Sequence, residues 1–170
     1  MPISTTITEC EKPGSLMTLY YDTAGDCTTP VWVEHAGIVG DMTLNDEDEK
    51  NEVERRIGGI KEYSSGDTDI SIEGEQIPDF NYQGNVWINA ARRGGIARQF
   101  LILNNKITAV NAAGYRGMFK NFVRNVSGPR TGEQKQTFNL APAACSICPV
   151  RAVKVAVANA AADYDPTLVV

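Results

Sequence analysis

At 170 residues the chain is long enough to bury one sizeable core and short enough to argue for a single domain. A net charge of -5, with 42% hydrophobic and 22% charged residues, is that of a folded soluble protein and argues against the clustered positive charge by which proteins grip nucleic-acid phosphates. No run approaches the ~20 apolar residues that cross a bilayer as a helix, and the opening MPISTTITECEKPGS lacks the basic patch and apolar stretch of a secretory signal. The expectation is synthesis in a cytoplasm, with no membrane partner.

Residues 1–15 are polar and contain Pro2, Pro13 and Gly14, which suits a loosely held N-terminal arm. SLMTLYYD reads as a strand ending in the turn-like DTAGD, and VWVEHAGIV and DMTL read as further extended pieces, with Gly37 and Gly40 as bends or bulges. NDEDEKNEVERRIGG, Asn45 to Gly59, then offers two readings. Asn45 can cap a helix, acids fill its first turn, Arg55 and Arg56 sit near its end and Gly58 can stop it. Only Val53 and Ile57 would face a core, however, and the second half alternates with the period of a strand, so a long hairpin arm is the rival.

DTDISIEGEQ alternates strictly and places Ile70 and Ile72 on one face of a strand. PDFNYQGNVWINAARRGG reads as a helix, with Asp79 or Asn81 as cap, Gly94 and Gly95 as stop, and Trp87 and Val86 as its packing anchors. ARQFLILN and KITAV read as a buried strand and its hairpin partner. GYRGMFKNFVRN is a long extended segment with Arg116, Lys120 and Arg124 on one face; SGPRTGEQ is a loop; KQTFNLAPA and VKVAV are strands. The sum is roughly eight strands with one helix and polar extensions, a mainly β fold of sandwich or barrel type.

Chemistry is hard to find in these residues. The only histidine is His35, too little for a serine-type triad, and no GxSxG, HExxH, GxxxxGK[ST] or GxGxxG is present. The expectation is no enzyme and no cofactor. Asp46 to Glu49 form an acidic run without the pattern of a calcium loop. Arg92, Arg93 and Arg98 near the helix end, with Arg116, Lys120 and Arg124, read as dipole compensation and as partners for acids of another copy. Cys145 and Cys148 make one CxxC without a second ligand pair, so free thiols are expected for Cys10, Cys27, Cys145 and Cys148, with a small cysteine-based metal-binding module as the alternative.

One ordered set of features resembles a known family. VWVEHAGIVGDMTL, an acidic arm, then EVERRIGGIKEYSSGDTDISIEGEQ is similar to the N-terminal half of the major tail tube proteins of long-tailed, siphovirus-type bacteriophages. Gly37 to Leu44, Val53 to Arg56, Gly59 to Tyr63 and Ile70 to Gly74 carry the likeness. The later order of helix, strand, glycine-bearing strand and KQTFNL extends it over residues 31–142. The CSICPVRAVKV segment and the four cysteines have no counterpart in that pattern.

The resemblance implies a β-sandwich or barrel with one flanking α-helix, a long hairpin arm and extended terminal arms. On that reading residues 1–15 are the N-terminal arm, 16–157 the tube domain with its hairpin at about 41–62, and 158–170 the C-terminal arm. It favours the hairpin over the helix and implies ring-stacking contacts at Asp46, Glu47, Asp48, Glu49, Lys50, Glu52, Glu54, Arg55 and Arg56. The implied partners are further copies, as hexameric rings stacked into a tube, and other tail proteins such as tape measure, terminator and distal tail proteins. DNA would be in transit only. The implied place is the virion tail, after assembly in the bacterial host cytoplasm. Other virion proteins of similar architecture, such as a head decoration, tail terminator or spike, are the nearest alternatives.

Overall fold

The computed structural model describes residues 17–25, 27–54, 61–79, 81–93, 96–128, 131–145, 147–158 and 160–163. Among them run β1 (Thr18–Asp22), β2 (Trp32–Glu34), β3 (Ile38–Glu54), β4 (Lys61–Gln76), α1 (Gln83–Arg93), β5 (Arg98–Leu103), β6 (Ala113–Ser127), β7 (Lys135–Pro142), β8 (Arg151–Val157) and β9 (Ala160–Asp163). The fold is mainly β with one flanking helix, as the sequence leads one to expect. The strands form one antiparallel sheet in the order β2-β1-β5-β6-β7-β4-β3, with β8 on β6 and β9 on β8. β6 is the hub: one edge carries β5, while the other carries β8 over Ala113–Arg116 and β7 from Phe119 onward. The sheet therefore forks at β6.

That fork explains why FLIL, Phe100 to Leu103 of β5, is a continuous apolar run, the pattern of a strand covered on both faces. Leu19, Tyr21, Phe100 and Ile102 join Met42, Ile72, Ile88, Phe119, Phe138 and Leu140 in the larger core. Their sequence neighbours Tyr20, Leu101 and Leu103 point the other way and meet Ala112, Val153 and Val155 in a second core. β4 and β7 are covered on one face only, so they alternate, with Ile70 and Ile72 inward and Glu73 outward. Thirteen Cα pairs, from Ile38↔Gln76 to Glu54↔Lys61, join β3 to β4. Gly40, at φ +73°, sits in the first register shift, between Val39 and Thr43.

Several local expectations are corrected. KITAV is a turn between β5 and β6 rather than a strand. Its apolar residues Ile107 and Ala109 are drawn onto the second core, and the Ile107 N–H donates to the Tyr20 hydroxyl at 2.9 Å. Val86 does not anchor the helix: it is exposed, whereas Ile88 and Ala91 are buried and Trp87 packs on the core's margin. Arg124 does not share a face with Arg116 and Lys120, because β6 shifts register between Asn121 and Val123 and places Arg124 opposite Phe138. Asn121 Oδ1 holds that shift by accepting the N–H groups of Val123 at 3.2 Å and Asn139 at 3.1 Å. Residues 160–163, within the span read as a C-terminal arm, form β9 on β8.

The expectation of free thiols also fails for two cysteines. Cys27 and Cys148, 121 residues apart, form a disulfide with a Cα–Cα distance of 5.8 Å, while Cys145 keeps its thiol. The CxxC spacing singles out Cys145 and Cys148, but the tertiary pairing of the sheet brings Cys27 to Cys148 instead. No group of three or more metal-ligating side chains occurs among the described residues. Cys10 lies outside them.

His35 ties α1 to the sheet. Its Nε2 lies 2.8 Å from Gln76 Oε1, its Nδ1 accepts the Gly37 N–H at 3.2 Å, and its ring stacks on Tyr82 with centroids 5.7 Å apart. Helix residue Gly84 gives the ring room, since a Cβ there would lie 2.6 Å from His35 Nδ1. With both nitrogens engaged, the imidazole is the neutral Nε2–H tautomer. Burial pushes its pKa below the ordinary 6.5, more than the Gln76 hydrogen bond raises it. The unfolded chain then binds a proton that the folded one refuses, so this stability is complete above pH ~6.5 and is lost as pH falls below that value. Thermal unfolding of wild type should weaken between pH 7.5 and 5.5 in this window (~6.5 and below). His35→Gln should be less stable at pH 7.5 but show a flatter profile. Parallel profiles for the two proteins would contradict this account.

Candidate interaction surface

The acidic run lies on β3, in a hairpin with β4, not in a helix. Up to Leu44 the strand belongs to the body: Met42 is buried in the larger core and Leu44 packs against it. At Asp46 it leaves. Asp46 is exposed, stands opposite the buried Ile70 of β4, and accepts a hydrogen bond from the Tyr115 hydroxyl of β6. β4 pairs with β7 only over Ile72–Gln76, so from Glu47 and Asp69 outward β3 and β4 are a two-stranded ribbon. Residues 47–54 would span roughly 25 Å at the rise of a β-strand.

The backbone register places Glu47 opposite Asp69, Asp48 opposite Thr68, Lys50 opposite Ser65, Glu52 opposite Tyr63 and Glu54 opposite Lys61, with a shift between Asp48 and Lys50 where Glu49 falls. Arg55 and Arg56 lie outside the described residues. Glu47 and Asp69 are both exposed, and like charges directly opposite each other destabilise an isolated ladder. They line a recess of about 170 Å³ with Asn45 and Ser71, whose side chains hydrogen-bond at 3.2 Å. The base of the hairpin is better compensated: Lys135 Nζ lies 3.3 Å from Glu75 Oε2, and Asn139 Nδ2 donates to Glu73 Oε1 at 2.7 Å.

The basic residues are distributed elsewhere. The Arg98 guanidinium lies 4.9 Å from the centroid of the Trp87 ring, a cation–π contact, and Arg92 is exposed. Arg116 and Lys120 are half-buried on β6. At and beyond the register shift, β6 exposes Phe122 (63%) and Val126 (51%). Sequence reasoning missed that exposure and the anchoring role of Tyr115. A one-residue shift reverses which side chains face solvent, and Asn121, whose side chain holds the shift, is its one signal within KNFVRNVS.

This arrangement has relatives among solved structures. A chain in the tail of an empty gene transfer agent particle, determined with helical refinement and C6 symmetry, matches at TM-score 0.56 and 17% identity, covering 78% of this chain and 94% of the other. A chain in the native gene transfer agent virion matches at 0.54 and 17%, with the same coverage. The SPP1 tail tube matches at 0.57 and 14%, covering 75% of this chain and 73% of the other.

The fold is that of a tail tube subunit. At these identities the likeness is carried by backbone architecture, since neither a protein-family model nor a curated protein sequence matches the chain. The tail tube fold accounts for a sheet with a helix on its flank. Among the described residues no helix is long and apolar enough to cross a membrane.

Proposed function

We propose that the protein is the structural subunit of a phage-type tail tube, forming hexameric rings that stack around a lumen through which DNA passes. The observation that carries this reading is the shared architecture with the SPP1 tail tube and the gene transfer agent tail, over at least three quarters of the chain. The β3–β4 ribbon supports it. It contains more charged backbone ladder than the body needs for its own core, and its acids have their natural counterparts in bases of another copy. Asp46, Glu47, Asp48, Glu49, Lys50, Glu52 and Glu54, with Arg55 and Arg56, are assigned to contacts between successive rings. The function is mechanical rather than enzymatic, and the place is the virion tail, with assembly in the host cytoplasm. Tape measure, terminator and distal tail proteins are the other partners this role requires. A net charge of -5 suits a conduit that must not hold phosphates.

The test is to shorten the ribbon. Asp48 and Thr68 are paired, so residues 49–67 can be replaced by Asn-Gly, which closes a two-residue hairpin. Wild type, concentrated and viewed by negative-stain electron microscopy, should give hollow tubes of repeating rings. The shortened chain should remain folded by circular dichroism yet form no tubes. Tubes of normal length would remove the ring contacts from this segment, and unfolding would make the ribbon part of the folding unit. Discrete wild-type trimers would instead indicate a decoration protein.

A further inference from the structure

The loop carrying Cys145 and Cys148 is docked on β6 by backbone hydrogen bonds. Met118 N–H donates to Cys148 O at 3.2 Å, and Ala143 N–H donates to Met118 O at 2.8 Å. Gly117 permits this approach, because a Cβ there would lie 2.5 Å from Val150 Cα. The loop carrying Cys27 is fixed from the other side by Asp22, which is only 1% exposed. Asp22 Oδ1 accepts the N–H groups of Ala24 at 2.9 Å and Val31 at 2.8 Å, and the Asp22 carbonyl accepts Trp87 Nε1–H at 2.8 Å. Two independently held loops thus bring Cys27 and Cys148 to a Cα–Cα distance of 5.8 Å, well inside the span a disulfide bridges.

A third sulfur belongs to the same place. Cys145 Sγ accepts the Cys148 N–H at 3.3 Å, so the CxxC turn folds its first sulfur back over the second cysteine. Cys148 is buried at 6% exposure, whereas Cys27 and Cys145 are half-exposed. The disulfide borders an open cleft of about 60 Å³ whose lining includes Arg116, Arg151, Gln99 and the exposed Ile147. Arg116 and Arg151 are the charged residues of that lining, and positive charge there favours an anionic reactant over a cationic one.

We propose that Cys27, Cys145 and Cys148 form a thiol–disulfide exchange site that opens and closes this clasp, and that its small-molecule reactant is an anionic thiol or disulfide of the glutathione type. In closing, the Cys27 thiolate attacks the small disulfide and releases one small thiolate. The Cys148 thiolate then attacks the Cys27 sulfur and releases the second, so two electrons pass from the protein to the small disulfide. In opening by reductant, a small thiolate attacks the half-exposed Cys27 sulfur and Cys148 leaves as thiolate; a second small thiolate then attacks the mixed disulfide, forming the small disulfide and releasing the Cys27 thiolate. A second route needs no reductant. The Cys145 thiolate attacks Cys148, the Cys145–Cys148 bond forms as the Cys27–Cys148 bond breaks, and the electron pair leaves on Cys27. A reducing cytosol would keep the clasp open and an oxidising medium would close it. The site stands on local geometry alone and does not depend on tube assembly.

The experiment uses the full chain equilibrated in reduced and oxidised glutathione, quenched with acid, alkylated and mapped by peptide mass spectrometry without reduction. Oxidising ratios should give Cys27 linked to Cys148. Oxidised protein held at mildly alkaline pH without reductant should develop a Cys145–Cys148 species with Cys27 newly alkylated. Cys145→Ser should close normally but never show that isomer. At equal thiolate concentration, glutathione should open the clasp several-fold faster than cationic cysteamine, and the preference should shrink at high salt. Absence of the Cys27–Cys148 link at every ratio would overturn the site. Failure of the Cys145–Cys148 species to form would overturn the exchange, and equal rates for the two thiols would overturn the anionic reactant.

Discussion

Gly114→Ala is expected to remove a large share of the folded chain's stability, since among the described glycines it meets the closest backbone atom. A Cβ at this position would lie 1.8 Å from the Ile102 carbonyl oxygen, 2.8 Å from its carbon and 3.0 Å from Leu103 Cα. These are backbone atoms, so no rotamer change relieves the collision. Nor can β6 step aside, because Gly114 pairs with Leu103 of β5 on one edge and with Val153 of β8 on the other. Separating β5 from β6 would open both cores at once. A penalty on the order of 4 kcal/mol or more follows from overpacking of this kind, against a net stability of about 5–15 kcal/mol for a typical domain. Soluble yield and thermal unfolding by circular dichroism are the readouts. A variant that melts within a few degrees of wild type would mean that the two strands tolerate a wider separation.

Phe138→Ala should be the most damaging of the simple core deletions. Phe138 is fully buried in the larger core, on β7 between β4 and β6, and truncating such a ring removes roughly 3–5 kcal/mol. Urea unfolding should show the loss as a lower midpoint with little change in slope. The ring lies where Gly74 of β4 has no side chain: a Cβ on Gly74 would be 2.8 Å from Phe138 Cζ. Gly74→Ala alone should therefore destabilise by crowding. In the double variant the new methyl enters space the ring has vacated, so the combined loss should be smaller than the sum of the single losses. Strict additivity would show that the two positions do not share that space.

The sequence was most readable where one physical demand acts on a segment. β4 alternates because one face is dry and the other wet, and Ile70 and Ile72 declare it without help from elsewhere. α1 was readable as a helix, although its inward face was misjudged. Gly84 makes room for His35, and the apolar stripe runs through Ile88 and Ala91 rather than Val86. KITAV misled because Ile107 and Ala109 serve the second core from a turn, and that core exists only once the sheet forks at β6.

The candidate surface was legible in outline. Fifteen residues so charged could not be core, but choosing hairpin over helix required a resemblance, since local capping and the placement of charge at the two ends favoured the helix. The Cys27–Cys148 bond was not readable at all. Its partners are 121 residues apart, and the CxxC spacing drew attention to the wrong pair. Tyr115 is another such case, because only the tertiary fold brings its hydroxyl to Asp46.

The 17-residue β3 pairs with β4 along one side and, among the described residues, with no strand along the other. A border of that length presents open amide and carbonyl groups to any extended chain, the usual template for indiscriminate sticking. Two copies meeting there about a two-fold axis would set the acids of Asp46 to Glu49 near those of their mate, and like charges so aligned repel. An isologous dimer through this border is thereby disfavoured, whereas a heterologous contact with a different, more basic patch is not. Contacts of the second kind do not close on themselves after two subunits, and they can propagate along an axis.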